Sequence, residues 1–173
     1  MPDDRECVMQ KVIVIGCPGS GKSTFSRALS QATGLPLTHL DRLYWNPDKT
    51  TVGRAVFLER LSPILQGDRW IIDGNYAATM ELRMQVCDTV IFLDYPVDVC
   101  LDGVRQRMGK PRSDMPWTEE EDDPEFIRFI ENFQKEGRSQ ILELVKKYPR
   151  KTCLIFTDRN QADDFLARQK TSR

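Results

Sequence analysis

The sequence predicts an α/β fold in which a parallel sheet is covered by helices on both faces, and two observations carry that prediction. Short apolar runs alternate with helical patterns five times along the 173 residues. The first run, residues 11–15 of "KVIVIG", is apolar and β-branched at four consecutive positions. A strand without in-out alternation is one buried on both faces, as parallel sheets require.

Taken in order, residues 11–15 form the first strand, and residues 23–33 a helix bearing alanine and leucine that ends at Gly34. Residues 37–40 are a short second strand. After the loop "YWNPDKT", Val56, Leu58, Leu61 and Leu65 fall at helical spacing within 52–65, with Pro63 weakening the last turn. Residues 70–72 make the third strand and 77–86 the next helix. Residues 89–93 of "DTVIFLDYP" are the fourth strand, stopped by Pro96, and 97–108 a helix. The stretch "MGKPRSDMPWTEEEDDP" (108–124) has three prolines and the acidic run Glu119, Glu120, Glu121, Asp122 and Asp123, so it reads as an exposed loop with a solvated tip. Residues 125–148 read as one long amphipathic helix, apolar at Phe126, Ile130, Phe133, Ile141, Leu144 and Val145 and bent at Gly137. Residues 152–156 are the fifth strand and 162–169 a closing helix.

The length fits a single domain over 1–173. A net charge of −1 gives no overall basic field toward nucleic acid or membrane, so neither is expected as a direct partner. Cys7, Cys17, Cys87, Cys100 and Cys153 form no C-x-x-C pair and read as reduced thiols of a cytosolic protein. The start "MPDDRECVMQ" is too acidic for a signal peptide, and no apolar run approaches 18 residues. A soluble, cytoplasmic protein is expected.

Ligands of parallel sheets bind beyond the carboxyl ends of the strands. Those ends lie at Gly16, Asp41, Asp73, Asp94 and Thr157. The first opens "GCPGSGKS" (16–23), which satisfies G-x-x-x-x-G-K-[ST] at every position, between a strand and a helix. Glycines at 16, 19 and 21 let the backbone wrap a phosphate so that N–H groups point inward, and the following helix adds its positive end. Gly16, Cys17, Pro18, Gly19, Ser20, Gly21, Lys22, Ser23 and Thr24 are therefore the expected triphosphate cradle. Lys22 would reach the β- and γ-phosphates, and Ser23 would ligate Mg²⁺. The expected ligands are ATP and Mg²⁺, since no N-K-x-D guanine motif is present.

"WIIDGNY" and "DTVIFLDYP" resemble strands of adenylate kinase-like phosphotransferases. With "HLDRLYW", the "RSD" of an arginine-bearing segment and "RSQILELVKKY", the chain resembles the DNA topology modulation (FlaR-like) group within the adenylate kinase-like P-loop kinases. The resemblance implies a three-layer P-loop NTPase fold, strand order 2-3-1-4-5, a short lid near 108–124, and transfer of the ATP γ-phosphoryl group to a small acceptor. The acceptor could be a nucleoside monophosphate, a nucleoside or a small hydroxylated metabolite. The alternative is a nucleotide-binding regulator that affects DNA topology or gene expression with little turnover.

Phosphoryl transfer needs positioning and charge neutralisation, so arginines should close over the transferred group. The resemblance selects Arg107, Arg112 and Arg138 for that role. Asp73 or Asp94 would hold Mg²⁺ through water. Asp41 would face the acceptor and accept a hydroxyl proton, in a wall with Arg42, Tyr44 and Trp45, and with Asn75 and Tyr76 in the same cleft. His39 reads as structural. Arg159 and Asn160 follow the fifth strand, where this class contacts adenine. Two departures stand out. Adenylate kinases carry "DGFPR" with an arginine for the acceptor phosphate; this chain has "DGNYAAT", leaving Arg83 as the substitute. Asp102-Gly103 also replace an expected apolar or basic pair ahead of the lid.

Overall fold

A computed structural model describes residues 8–121 and 123–171. Five parallel strands form one sheet: β1 (Lys11–Gly16), β2 (Leu37–His39), β3 (Trp70–Asp73), β4 (Thr89–Leu93) and β5 (Thr152–Phe156). Their order across the sheet is β2-β3-β1-β4-β5. The helices are α1 (Lys22–Thr33), α2 (Leu40–Tyr44), α3 (Arg54–Gln66), α4 (Ala77–Val86), α5 (Val97–Arg107), α6 (Pro124–Asn132), α7 (Gly137–Lys147) and α8 (Arg159–Thr171). The β1-to-β2 crossover runs one way along the sheet and the later ones run the other. Right-handed crossovers therefore put α1 on one face and the later crossover helices on the other.

Burial follows the sheet order. Val12 to Ile15 of β1, Ile71 and Ile72 of β3, and Ile91 and Phe92 of β4 are completely buried, which is why these runs are apolar throughout. The edge strands β2 and β5 are mostly half-buried. On the α1 face, Phe25 packs against Phe156 and stacks on Phe165 at 6.3 Å, joining α1, β5 and α8.

Most boundaries fall within two residues of the sequence expectation, and three differences are of consequence. The second strand stops at His39, and Leu40–Tyr44 turn at once into a short helix, so Asp41 sits in a first helical turn. The long helix expected over 125–148 is two helices. Phe133 folds its ring against Gly137, where any Cβ would meet the ring at 2.6 Å, and α7 begins afresh there. The closing helix starts at Arg159, three residues earlier than expected. Cys7 and Asp122 lie outside the described residues; Cys17, Cys87, Cys100 and Cys153 are free thiols. Among the described residues no helix is long and apolar enough to cross a membrane.

The glycine at 103 has a structural reason. A Cβ there would meet the Gly19 carbonyl oxygen at 2.1 Å, and one at Gly19 (φ +83°) would meet the Cys100 carbonyl oxygen at 2.0 Å. Helix α5 thus lies directly on the backbone of the 16–23 loop, and only paired glycines permit that approach. Gly103→Ala gains about 1 kcal/mol of helix propensity. The backbone clash, at about 1–3 kcal/mol, should outweigh it. The expected outcome is a lower urea midpoint; an unchanged or higher midpoint would contradict the contact.

Candidate active site

Register brings the strand ends together: Val14 pairs with Asp73, His39 with Asp73, and Gly16 with Leu93. Above them opens a cleft of roughly 1230 Å³, floored by the 16–24 loop and roofed by residues 106–121. Pro18, Gly19, Gly21, Lys22, Ser23 and Thr24 line it, whereas Gly16, Cys17 and Ser20 do not. Cys17 is buried beside Cys100, whose hydrogen bond, with burial, pushes the Cys17 thiol up.

The loop is arranged to receive an anion. Gly21 (φ +88°) precedes α1 in a left-handed conformation. Among the described residues, the N–H groups of Gly19, Gly21, Lys22, Ser23 and Thr24 donate to no protein acceptor. The Ser20 hydroxyl is buried without a partner. Lys22 Nζ meanwhile donates to the carbonyls of Gly16 (2.9 Å) and Cys17 (3.1 Å). Burial holds its ammonium below the ordinary lysine range, against the pull of Asp41 and Asp73.

A second turn braces the first. Asn75 accepts from Gly16 N–H at 3.0 Å and donates to Gly16 carbonyl at 2.7 Å. Asn75 is held by Arg83, completely buried, whose guanidinium donates to the carbonyls of Gly74 (2.8 Å), Asn75 and Tyr76 (3.3 Å). Those bonds support Tyr76 at φ +39°, a conformation that a tyrosine does not take freely. Arg83 is therefore not available for an acceptor phosphate. Burial pushes its pKa down to about 10, and it stays charged at neutral pH.

Tyr76 in turn donates to Asp41 at 2.5 Å. Asp41, Trp45, Asn75 and Tyr76 all line the cleft. Tyr44 packs behind them against Phe57 and Tyr76, and Arg42 turns to the Ser113 carbonyl at 2.5 Å. Trp117 reaches across to meet Trp45 edge-on at 5.6 Å. One end of the cleft is thus an aromatic box with a carboxylate in its wall. Burial, aided by Asp73 and Asp114, pushes the Asp41 carboxyl above its usual range, against Tyr76 and Lys22.

The strand-end aspartates divide. Asp73, buried, lines the cleft and accepts from His39 Nδ1 at 2.7 Å, a positioning contact consistent with a structural histidine. Asp94 instead faces Arg138 Nε at 2.9 and 3.0 Å, and neither lines the cleft. The geometry does not bring that pair to Lys22. Arg107 and Arg112 do line it, and both turn to Glu119. Arg107 makes a two-pronged contact at 2.6 and 2.8 Å, and Arg112 lies at 3.5 Å. Glu119 is consequently drawn inward rather than solvated, while Glu120, Glu121 and Asp123 are exposed. Arg159 lines the cleft with its guanidinium 5.6 Å from the Tyr95 ring; Asn160 does not line it.

One residue escaped the sequence reading. Asp114 is buried, accepts from Ser23 Oγ at 2.7 Å, and has Arg112 Nη2 3.3 Å from the same oxygen. Burial works against its charge, but Ser23 and Arg112 hold its carboxyl below the usual range. Its one signal was its place in "RSD", beside an arginine already singled out.

No protein-family model matches the chain, and no curated protein matches it. Solved structures do. A shikimate kinase from Acinetobacter baumannii in complex with shikimate is 16% identical at TM-score 0.60, covering 92% of this chain and 90% of that one. A shikimate kinase from Bacteroides thetaiotaomicron is 20% identical at TM-score 0.55, covering 95% and 98%. A gluconokinase from Sinorhizobium meliloti is 14% identical at TM-score 0.54, covering 95% of each chain. The chain has the fold of the P-loop small-molecule kinases. Within that fold the P-loop is residues 16–23, with the 74–76 turn against it.

The raised Asp41 carboxyl has a sign that can be tested. A carboxyl whose pKa is higher folded than unfolded takes stability away as pH rises through that interval. Asp41→Asn should melt higher than wild type at pH 7, the gain vanishing as pH falls below about 4, the ordinary aspartate value. A lower melting temperature at pH 7 would contradict the assignment.

Proposed function

We propose that the protein is an ATP-dependent kinase that moves the γ-phosphoryl group to a hydroxyl of a small molecule. The observation that carries the reading is that Lys22, Ser23 and the open amides of the P-loop share one cleft with Asp41 and the aromatic box. Donor and acceptor held in one cleft would permit the in-line approach that transfer requires.

The P-loop amides and Lys22 would bind the β- and γ-phosphates, with Arg159 over the adenine. For Mg²⁺ the hard oxygens of Ser23 and Asp73 suit the ion. Among the described residues no three His, Cys, Asp or Glu side chains group closely enough to hold a metal alone. The nucleotide must therefore supply much of the coordination, as is usual for Mg²⁺. The ion, when bound, neutralises charge on the phosphate oxygens. Arg107 and Arg112 would transfer from Glu119 to the phosphoryl group, where charge spreads during transfer. Asp41, bonded by Tyr76 through Oδ1 alone, would accept the acceptor's hydroxyl proton. Residues 108–124 would act as the lid of a single domain and exclude water. Arg138 and Asp94 are left with a structural role.

A hydroxylated acceptor is favoured over a nucleoside monophosphate because Arg83, the substitute phosphate reader, is buried against three carbonyls. What supports the narrower assignment to the topology modulation group, and to the cytoplasm, is the sequence alone.

The test is a screen of nucleosides, nucleoside monophosphates and small hydroxy compounds with Mg-ATP, reading ADP release above background. Acceptor-stimulated release is expected. Tight ATP binding without stimulation would favour the nucleotide-binding regulator. Lys22→Ala should abolish ATP-dependent thermal stabilisation; unchanged stabilisation would remove the site. Arg107→Ala and Arg112→Ala should lower kcat by about 10²–10³ and leave ATP affinity nearly intact. An equal loss of affinity would reject their transition-state role.

A further inference from the structure

A seryl hydroxyl that gives a lone pair to a metal still carries a proton, and that proton needs an acceptor. The acceptor orients the lone pair and strengthens the ligand, so it is as much part of the site as the ligand itself. In this fold the strand-end aspartates would be the obvious acceptors, but neither is bonded to Ser23. Asp73 is held by His39 at 2.7 Å, and Asp94 by Arg138 at 2.9 Å.

The hydroxyl of Ser23 donates instead to Asp114, 91 residues away on the segment that crosses the cleft, at 2.7 Å. Asp114 is 6% exposed, and the same carboxylate oxygen that accepts from Ser23 lies 3.3 Å from Arg112 Nη2. One oxygen therefore joins the P-loop hydroxyl to an arginine of the crossing segment. Two further bonds fasten the same stretch to the donor and acceptor sides. Arg27 of α1 reaches the Ser113 hydroxyl at 3.0 Å, and Arg42 of α2 reaches the Ser113 carbonyl at 2.5 Å.

We propose that Asp114 is a positioning residue that orients the Ser23 hydroxyl toward the metal, so that metal binding and the seating of residues 108–121 on the P-loop are coupled. The inference rests on the nucleotide reading above and assigns to a carboxylate of the crossing segment the part a strand carboxylate would be expected to play. Displacing the segment would take the acceptor from Ser23 and carry Arg112, still beside Asp114 and Glu119, away from the P-loop with it. Metal-bound nucleotide then holds the segment closed, and metal-free nucleotide does not. Asp114 touches no substrate; it acts through Ser23 and Arg112.

The experiment is a double-mutant cycle on the full chain, with ATP binding measured by calorimetry in Mg²⁺ and in EDTA. Ser23→Ala and Asp114→Asn should each weaken Mg-ATP binding by about 10-fold or more, with EDTA affinities within about twofold of wild type. The double variant should bind Mg-ATP no worse than Ser23→Ala, because the two changes remove one interaction. Losses that multiply in the double variant, an equal loss for Asp114→Asn in EDTA, or tighter Mg-ATP binding by Asp114→Asn would each overturn the proposal. If Asp114→Asn does not fold, the same cycle with Asp114→Ser decides. Wild type that binds ATP no better with Mg²⁺ than without overturns this inference but not the nucleotide site. Wild type that binds no nucleotide overturns both.

Discussion

The site depends on a contact between two pieces of backbone. The P-loop must curve tightly enough to aim its amides at one point, and it must also be held rigid without side chains filling the space the phosphates need. Here Gly19 and Gly103 meet carbonyl to Cα, so α5 supports the loop from one side at a distance that no other residue tolerates. From the other side Asn75 binds both polar groups of Gly16. Hydrogen bonds and close packing thus shape the cradle before any anion arrives, and preorganisation of this kind keeps the reorganisation cost of binding low.

The same economy runs through the rest of the cleft. Three of the cationic groups that line the cleft have internal partners: Lys22 on loop carbonyls, Arg107 on Glu119, and Arg112 on Glu119 and Asp114. On the proposed reading, binding a triphosphate would be an exchange of partners more than a gain of contacts. The buried Arg83 belongs to the frame, since its charge is spent on three carbonyls that keep Tyr76 in a left-handed turn. That turn delivers Asn75 to the P-loop and Tyr76 to Asp41, linking the two ends of the cleft through the buried guanidinium.

Much of this was legible because it follows from local rules. Continuous apolar runs announce strands buried on both faces, and G-x-x-x-x-G-K-S between a strand and a helix announces the cradle. What escaped the sequence depended on partners distant along the chain. Asp94 and Asp73 look alike at strand ends, yet only the approach of Arg138 and His39 decides which one meets the cleft. Arg83 sits at a position that suits a surface cation, and its burial is set by the turn it supports. Gly103 stands as a departure from the expected pair in the sequence, and its reason is the glycine it meets across the fold, Gly19. Asp114 lay in a loop with no period to mark it, and its meaning comes wholly from Ser23.

The central claim is that backbone amides of the P-loop grip a triphosphate tail. It is tested most directly by following amide resonances of ¹⁵N-labelled protein during titration with Mg-ATP. The account predicts large, saturable shifts at Gly19, Gly21, Lys22, Ser23 and Thr24 at a common affinity, with smaller changes at Asn75. Saturable binding that leaves those five amides unmoved while shifting others would contradict it.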